Sequence, residues 1–180
     1  MSATFVSLDG IFPLSVISDE QLEKFDCGNL SLNDWLLCHA RGNEANGGSH
    51  TFVLISVKGE IAGFYSLAND RLEHKGIRAV LKRNMPDHIP VILLGRLAVA
   101  KDYQGHGIGR ALVRHAIETA CKASVFSGAA LLLTEPINES AASFYLHVGF
   151  EKVGKESPFL AIRIHLQQTN PNLTFHDMMC

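Results

Sequence analysis

Residues 103–112 read YQGHGIGRAL, Tyr103 to Leu112, and lie where a strand-like run gives way to a helix-like one. Upstream, Val91 to Ala100 (VILLGRLAVA) is apolar and β-branched enough for a buried strand. Downstream, Ile108, Leu112, Val113, Ala116 and Ile117 recur at helical spacing. Gly105, Gly107 and Gly109 therefore fall in a strand-to-helix turn. Such a turn presents unpaired backbone N–H groups at the positive end of a helix, and glycine admits close approach, so phosphate is its natural guest. Arg110 adds a charge-assisted donor. From the glycines alone, a connection that binds nothing is the alternative. Two common phosphate loops do not fit: GxxxxGK[ST] is absent, and GxGxxG is not met, since Leu112 stands where the last glycine would follow Gly107 and Gly109.

Working outward, 180 residues with 47% apolar content suffice for one full core, so a single domain over residues 1–166 with a polar tail, 167–180, is expected. A formal net charge of -2 argues against nucleic acid held by bulk charge, although a local patch is compatible with it. Cys27, Cys38, Cys121 and Cys180 are scattered and form no CxxC, which points to reduced thiols and to no metal site. No basic-then-apolar leader opens the chain, and no run approaches the roughly 20 apolar residues of a membrane span. A cytoplasmic protein is expected.

Ile11 to Ile17, broken by Pro13, reads as an edge strand. Ser18 and Gln21 form a capping box for a helix from Asp19 to about Phe25. Leu32, Trp35, Leu36 and His39 mark one face of a second helix, from Ser31 to about Asn43, stopped by Asn46, Gly47 and Gly48. Thr51 to Val57 and Glu60 to Leu67 make a hairpin around Lys58 and Gly59. Arg71 to Met85 is a basic stretch with a helical reading, and a solvated surface insertion is its alternative. Beyond the helix after the glycine turn, Ala129 to Thr134 reads as a buried strand closed by Pro136, and Asn138 to His147 as a helix. Phe150 to Val153 with Phe159 to Leu166 reads as a last hairpin.

Two signatures then stand in order. Gln104, Gly107 and Gly109 fit (Q/R)xxGx(G/A), and Asn138, Ala141 and Tyr145 fit Nx(2)Ax(3)Y, followed five residues later by Phe150 of a GF pair. For Phe144 and Tyr145 alone, core aromatics would be the simpler reading. With both signatures present the sequence resembles the GCN5-related N-acetyltransferases. That resemblance implies an α/β (α+β) fold, a mixed and mostly antiparallel sheet of six to seven strands flanked by helices and splayed at an acetyl-CoA site. It implies backbone contacts to acetyl-CoA near Leu97, Ala98 and Val99, and pyrophosphate on Gln104, Gly105, His106, Gly107, Ile108, Gly109 and Arg110. Asn138 would reach the pantetheine, and Tyr145 would be the general acid that protonates the leaving thiolate. No covalent intermediate is called for, since GxSxG is absent and no cysteine lies in either motif. No general base is evident: Glu135 and His106 are near the right segments, but structural or solvent-facing roles suit them better.

The stretch from Phe25 to Val153, including FDCGNLSLNDWLL, GFYSLA and LLGRLAVAKDYQGHGIGRAL, resembles more narrowly the GNAT toxins of bacterial toxin-antitoxin systems. The resemblance implies acetylation of the α-amine of aminoacyl-tRNA, a homodimer, neutralisation by a ribbon-helix-helix antitoxin, and contact with operator DNA only through that complex. Arg71, Lys75, Arg78, Lys82, Arg83, Arg96 and Arg114 are the candidate tRNA contacts. Two departures stand out: the chain is slightly acidic where such toxins tend to be basic, and His50 stands where they often carry arginine or lysine. An acetyltransferase for a small or protein amine is the first alternative. A non-catalytic CoA-binding or antitoxin-bound repressor subunit is the second.

Overall fold

A computed structural model describes residues 8–73 and 75–164. The end of the expected last strand at Leu166, the tail from Gln167 and Cys180 lie outside them. Seven strands form one sheet in the order β1-β2-β3-β4-β5-β7-β6: β1 Leu8–Pro13, β2 His50–Ser56, β3 Ile61–Glu73, β4 His88–Val99, β5 Leu131–Thr134, β6 Glu151–Lys152 and β7 Leu160–Arg163. The pairs β1/β2, β2/β3, β5/β7 and β6/β7 are antiparallel, and β4/β5 is parallel. The parallel pairing joins Val91–Leu93 to Leu131–Leu133, and β4 continues beyond it to Val99. The chain divides into two compact units, one of residues 8–69 and 94–116, the other of residues 70–93 and 117–164.

In the first unit, α1 (Asp19–Glu23) begins with the expected capping box, Ser18 accepting from the Gln21 amide and Gln21 answering the Ser18 amide. The second helix departs from expectation. It is α2 (Leu30–Asp34), a π turn over Trp35–His39, and α3 (Ala40–Ala45). The π turn inserts an extra residue into the helical repeat, so the buried positions become Leu36 and Ala40. His39, expected on the inner face, is exposed and 3.3 Å from Asp34. The core joins Leu14, Ile17, Leu22, Leu36, Val53, Phe64 and Ala98. Gly63 in β3 comes so close to β4 that an added Cβ would stand 2.7 Å from the Ala98 carbonyl oxygen.

In the second unit the basic segment is mostly not helical. Strand β3 runs on through Arg71 to Glu73, and only Ala79–Lys82 forms a helix, α4. Leu72, Ile77 and Leu81 drive this arrangement by entering a core with Ile89, Leu131, Leu133 and Val153. Helix α5 (Ile108–Ser127) starts in the first unit and ends in the second, and α6 (Glu139–His147) follows β5. The first strand ends at Pro13, earlier than expected, because Leu14–Val16 turns as a short 3-10 helix.

Candidate functional site

The turn after β4 is built by its neighbours as much as by its glycines. Lys101–Tyr103 makes one 3-10 turn, residues 104–107 turn again, and α5 begins at Ile108. Gly105 (φ 77°) and Gly107 (φ 78°) are left-handed, with open space where a side chain would start. Their glycines answer a backbone need and leave the amides approachable. Arg110 and His106 are exposed and make no side-chain hydrogen bond or ion pair among the described residues. Ile108 is buried, anchoring α5. The expected Leu97, Ala98 and Val99 follow one another at the end of β4, with Ala98 buried.

Gln104 has a role that its motif does not disclose. Its amide donates to the carbonyls of Cys27 (3.1 Å) and Val99 (3.0 Å), tying the turn to the end of β4. Two further braces act beside it. Lys101 pairs with Asp26 at 2.6 Å, and the Tyr103 hydroxyl donates to Glu60 at 2.7 Å. Lys101, with the Asn33 amide and the Gly28 N–H, holds the Asp26 carboxyl down to about 2. Burial, reinforced by Glu60, raises the Tyr103 phenol. The Gln104–Val99 bond spans five residues, but the pairs with Cys27, Asp26 and Glu60 lie 43 to 77 residues apart in the chain, so no local pattern announces them.

In the second unit, Asn138 is the N-cap of α6 and accepts from the Ala141 amide at 2.8 Å. Tyr145 is buried (7% exposed), and its ring meets Phe144 and Phe150 edge-on at 5.2 and 5.3 Å between centroids. Burial raises its phenol above the ordinary value, and a hydrogen bond with Thr134 partly opposes that. The proton therefore stays on Tyr145 at physiological pH.

The basic candidates separate into classes. Arg78 is engaged with Glu151 at 2.7 Å and with the Lys152 carbonyl, which holds α4 beside β6. Arg163 donates to the Val80 carbonyl within α4. Arg71, Lys75 and Arg83 are exposed, Lys82 is half-buried, and Arg114 is an exposed residue of α5. In the first unit the Arg96 guanidinium carbon lies 5.5 Å from the Trp35 ring centroid. Glu135 is exposed just after β5, and His50 is exposed with its Nδ1 3.5 Å from Glu44.

Residues 48–152 match the model of the acetyltransferase (GNAT) domain, a range that contains the braced glycine turn, Asn138 and Tyr145. The chain belongs to the GNAT acetyltransferase family. It is 37% identical over 139 residues to the tRNA-acetylating toxin of Mycobacterium tuberculosis, a match spanning 77% of this chain and 83% of that protein. A solved tyrosine-to-phenylalanine mutant of KacT superposes with a TM-score of 0.77 at 29% identity, covering 88% of this chain and 95% of that one. AtaT complexed with acetyl-methionyl-tRNA gives 0.75 at 28% identity, covering 85% and 93%. A tyrosine-to-phenylalanine mutant of AtaT has also been solved with acetyl-CoA and the C-terminus of the antitoxin AtaR, and the AtaT-AtaR complex has been solved on DNA. The seven-stranded, mostly antiparallel sheet with flanking helices is the fold expected from the sequence signatures.

Left-handed glycines open the backbone at the start of a 20-residue helix, and Arg110 stands uncommitted in its first turn. Among the described residues no group of three or more histidine, cysteine or acidic side chains is arranged to hold a metal, and no helix is long and apolar enough to cross a membrane.

Proposed function

We propose that this GNAT acetyltransferase transfers acetyl from acetyl-CoA to the α-amine of aminoacyl-tRNA and so blocks translation as a toxin. The observation carrying the acceptor is the 37% identity over 139 residues to a tRNA-acetylating toxin. The turn Gln104–Arg110 holds the pyrophosphate: Gly105, His106, Gly107, Ile108 and Gly109 offer backbone amides, Arg110 offers charge, and Gln104 keeps the turn in place. Backbone groups of Leu97, Ala98 and Val99 hold the pantetheine arm, and one N–H steadies the negative charge that develops on the thioester oxygen. Asn138 caps α6 through its Oδ1, which leaves its amide N–H groups as the candidate donors to the pantetheine.

Acetyl-CoA supplies an activated acyl group and a thiolate leaving group, and Tyr145 delivers the proton that the thiolate needs. A phenol held above its ordinary value is a weaker acid than a free thiol. The dry surroundings that raise the phenol also raise the proton affinity of a thiolate formed beside it, so position governs the transfer. The attacking α-amine titrates near 8, so about a fifth of it is already neutral at physiological pH; the proton its nitrogen sheds as the amide forms goes to solvent, from which Tyr145 regains its own, and no dedicated base is required. Arg71, Lys75, Lys82, Arg83, Arg96 and Arg114 contact tRNA, while Arg78 acts mainly by holding α4. A cytoplasmic homodimer, a ribbon-helix-helix antitoxin and operator DNA reached through that antitoxin complete the reading, following the assemblies of AtaT with AtaR and DNA.

The net charge of -2 and His50 favour one other reading, an acetyltransferase for a small or protein amine. Labelled acetyl-CoA offered with charged tRNA, uncharged tRNA and free amines separates the two. Label on charged tRNA alone, reduced about 10²- to 10⁴-fold by Tyr145→Phe, supports the toxin reading. Label confined to free amines rejects it.

A further inference from the structure

Phe64, Trp35 and Arg96 form a run of planar groups leading from the core of the first unit to its surface. Phe64 is fully buried, and Trp35 lies nearly parallel to it, 10° between planes and 5.9 Å between centroids. Arg96 follows at 5.5 Å and is exposed. Arg96 has no ion pair among the described residues. Its single hydrogen bond there, from Nη1 to its own neighbour's carbonyl at Gly95 (2.8 Å), restrains the guanidinium and leaves the other N–H groups available. A guanidinium held this way is a stacking surface with a donor edge, which a lysine in its place would not provide. A second, independent feature marks the place. The π turn that disturbs the helix begins at Trp35, and such turns are frequent at functional sites.

We infer that the Trp35–Arg96 layer seats an unpaired nucleobase, and specifically the terminal adenine of the tRNA acceptor end. This rests on the aminoacyl-tRNA reading above and gives Arg96 a role in base recognition rather than phosphate contact. The choice of base follows from position. Arg96 immediately precedes Leu97–Val99, the backbone assigned to the thioester arm, and residues of a strand advance only about 3.3 Å each. The nucleoside whose ribose carries the aminoacyl group is the one within that reach. Flat bases without a fixed sequence context are held on aromatic and guanidinium planes, and their edges by hydrogen bonds. A base shared by all tRNAs would seat the acceptor end without choosing among amino acids.

Trp35 is the chain's single tryptophan, so its emission reports the layer directly. The full-length protein is titrated with the trinucleotide CCA and with the same oligomer ending in an abasic ribose. CCA is expected to quench Trp35 saturably, the abasic oligomer to bind at least about fivefold more weakly, and Arg96→Lys to weaken CCA binding about tenfold. Equal binding of the two oligomers, or wild-type affinity in Arg96→Lys, would overturn the inference, the latter by making Arg96 a point-charge contact. Acetyl transfer to charged tRNA by the wild-type protein is read in parallel. Base-dependent quenching without transfer to charged tRNA rejects the toxin reading and leaves the base seat standing. Transfer without base-dependent quenching rejects the seat alone.

Discussion

Gly63→Ala perturbs the strand assigned to the thioester without touching any proposed binding side chain. The new Cβ would stand 2.7 Å from the Ala98 carbonyl oxygen, 2.9 Å from Leu112 Cδ1 and 3.4 Å from Val99 Cα. The leucine tip can rotate, but a β-strand carbonyl and Cα cannot yield without moving the backbone. Reaching ordinary contact requires β3 and β4 to part by about 0.7 Å at Ala98. Overpacking of this kind costs about 1–3 kcal/mol. For a chain of this length 2 kcal/mol corresponds to a melting shift of about 4–8 °C. A displacement approaching 1 Å at a reacting group costs roughly 10²-fold in rate. Calorimetry and single-turnover transfer on the same preparation should therefore show a modest melting loss with a disproportionate fall in rate below the melting range. A variant with wild-type melting and wild-type rate would refute the claim that β4 backbone geometry at Ala98 sets the chemistry.

Gln104→Leu removes both carbonyl bonds that tie the turn to Cys27 and Val99, and calorimetric titration should show acetyl-CoA binding weakened about tenfold, with the melting temperature little changed. Asp26 has its carboxyl lowered to about 2, so its contribution is present above its ordinary range near 3.8 and is lost as pH falls through 2. Asp26→Asn should accordingly melt below wild type at neutral pH, and the difference should vanish near pH 2. Because burial raises Tyr145, the single-turnover rate should climb with amine deprotonation near pH 8 and show no alkaline decline until above about pH 10. A decline between those values would remove Tyr145 as the group being titrated.

The glycine turn, the α6 signature and the β2/β3 hairpin were legible because each is local. Gly105 and Gly107 signal a backbone conformation, Asn138 signals a cap, and Lys58-Gly59 signals a tight turn within a few residues. The features that escaped depend on distant partners. Strand β3 continues through Arg71 because Leu72 has a core to enter, which the density of basic residues around it conceals. The π turn that exposes His39 cannot be read from a regular helical period. Gln104 matched its motif, yet its carbonyl partners are set by the fold: Val99 at the end of β4 and Cys27 on a separate segment. Trp35 and Arg96 were each noted, one as a helix-face residue and one as a cation, and only the fold stacks them.

The most direct test of the account is where the acetyl group ends up. Charged tRNA is incubated with the protein and acetyl-CoA, the aminoacyl ester is hydrolysed, and the released amino acid and the RNA are each examined by mass spectrometry. The account predicts one acetyl group on the α-amine of the amino acid and none on the nucleosides. Acetyl on a nucleoside, or an unmodified amino acid under conditions where free amines are acetylated, would contradict it.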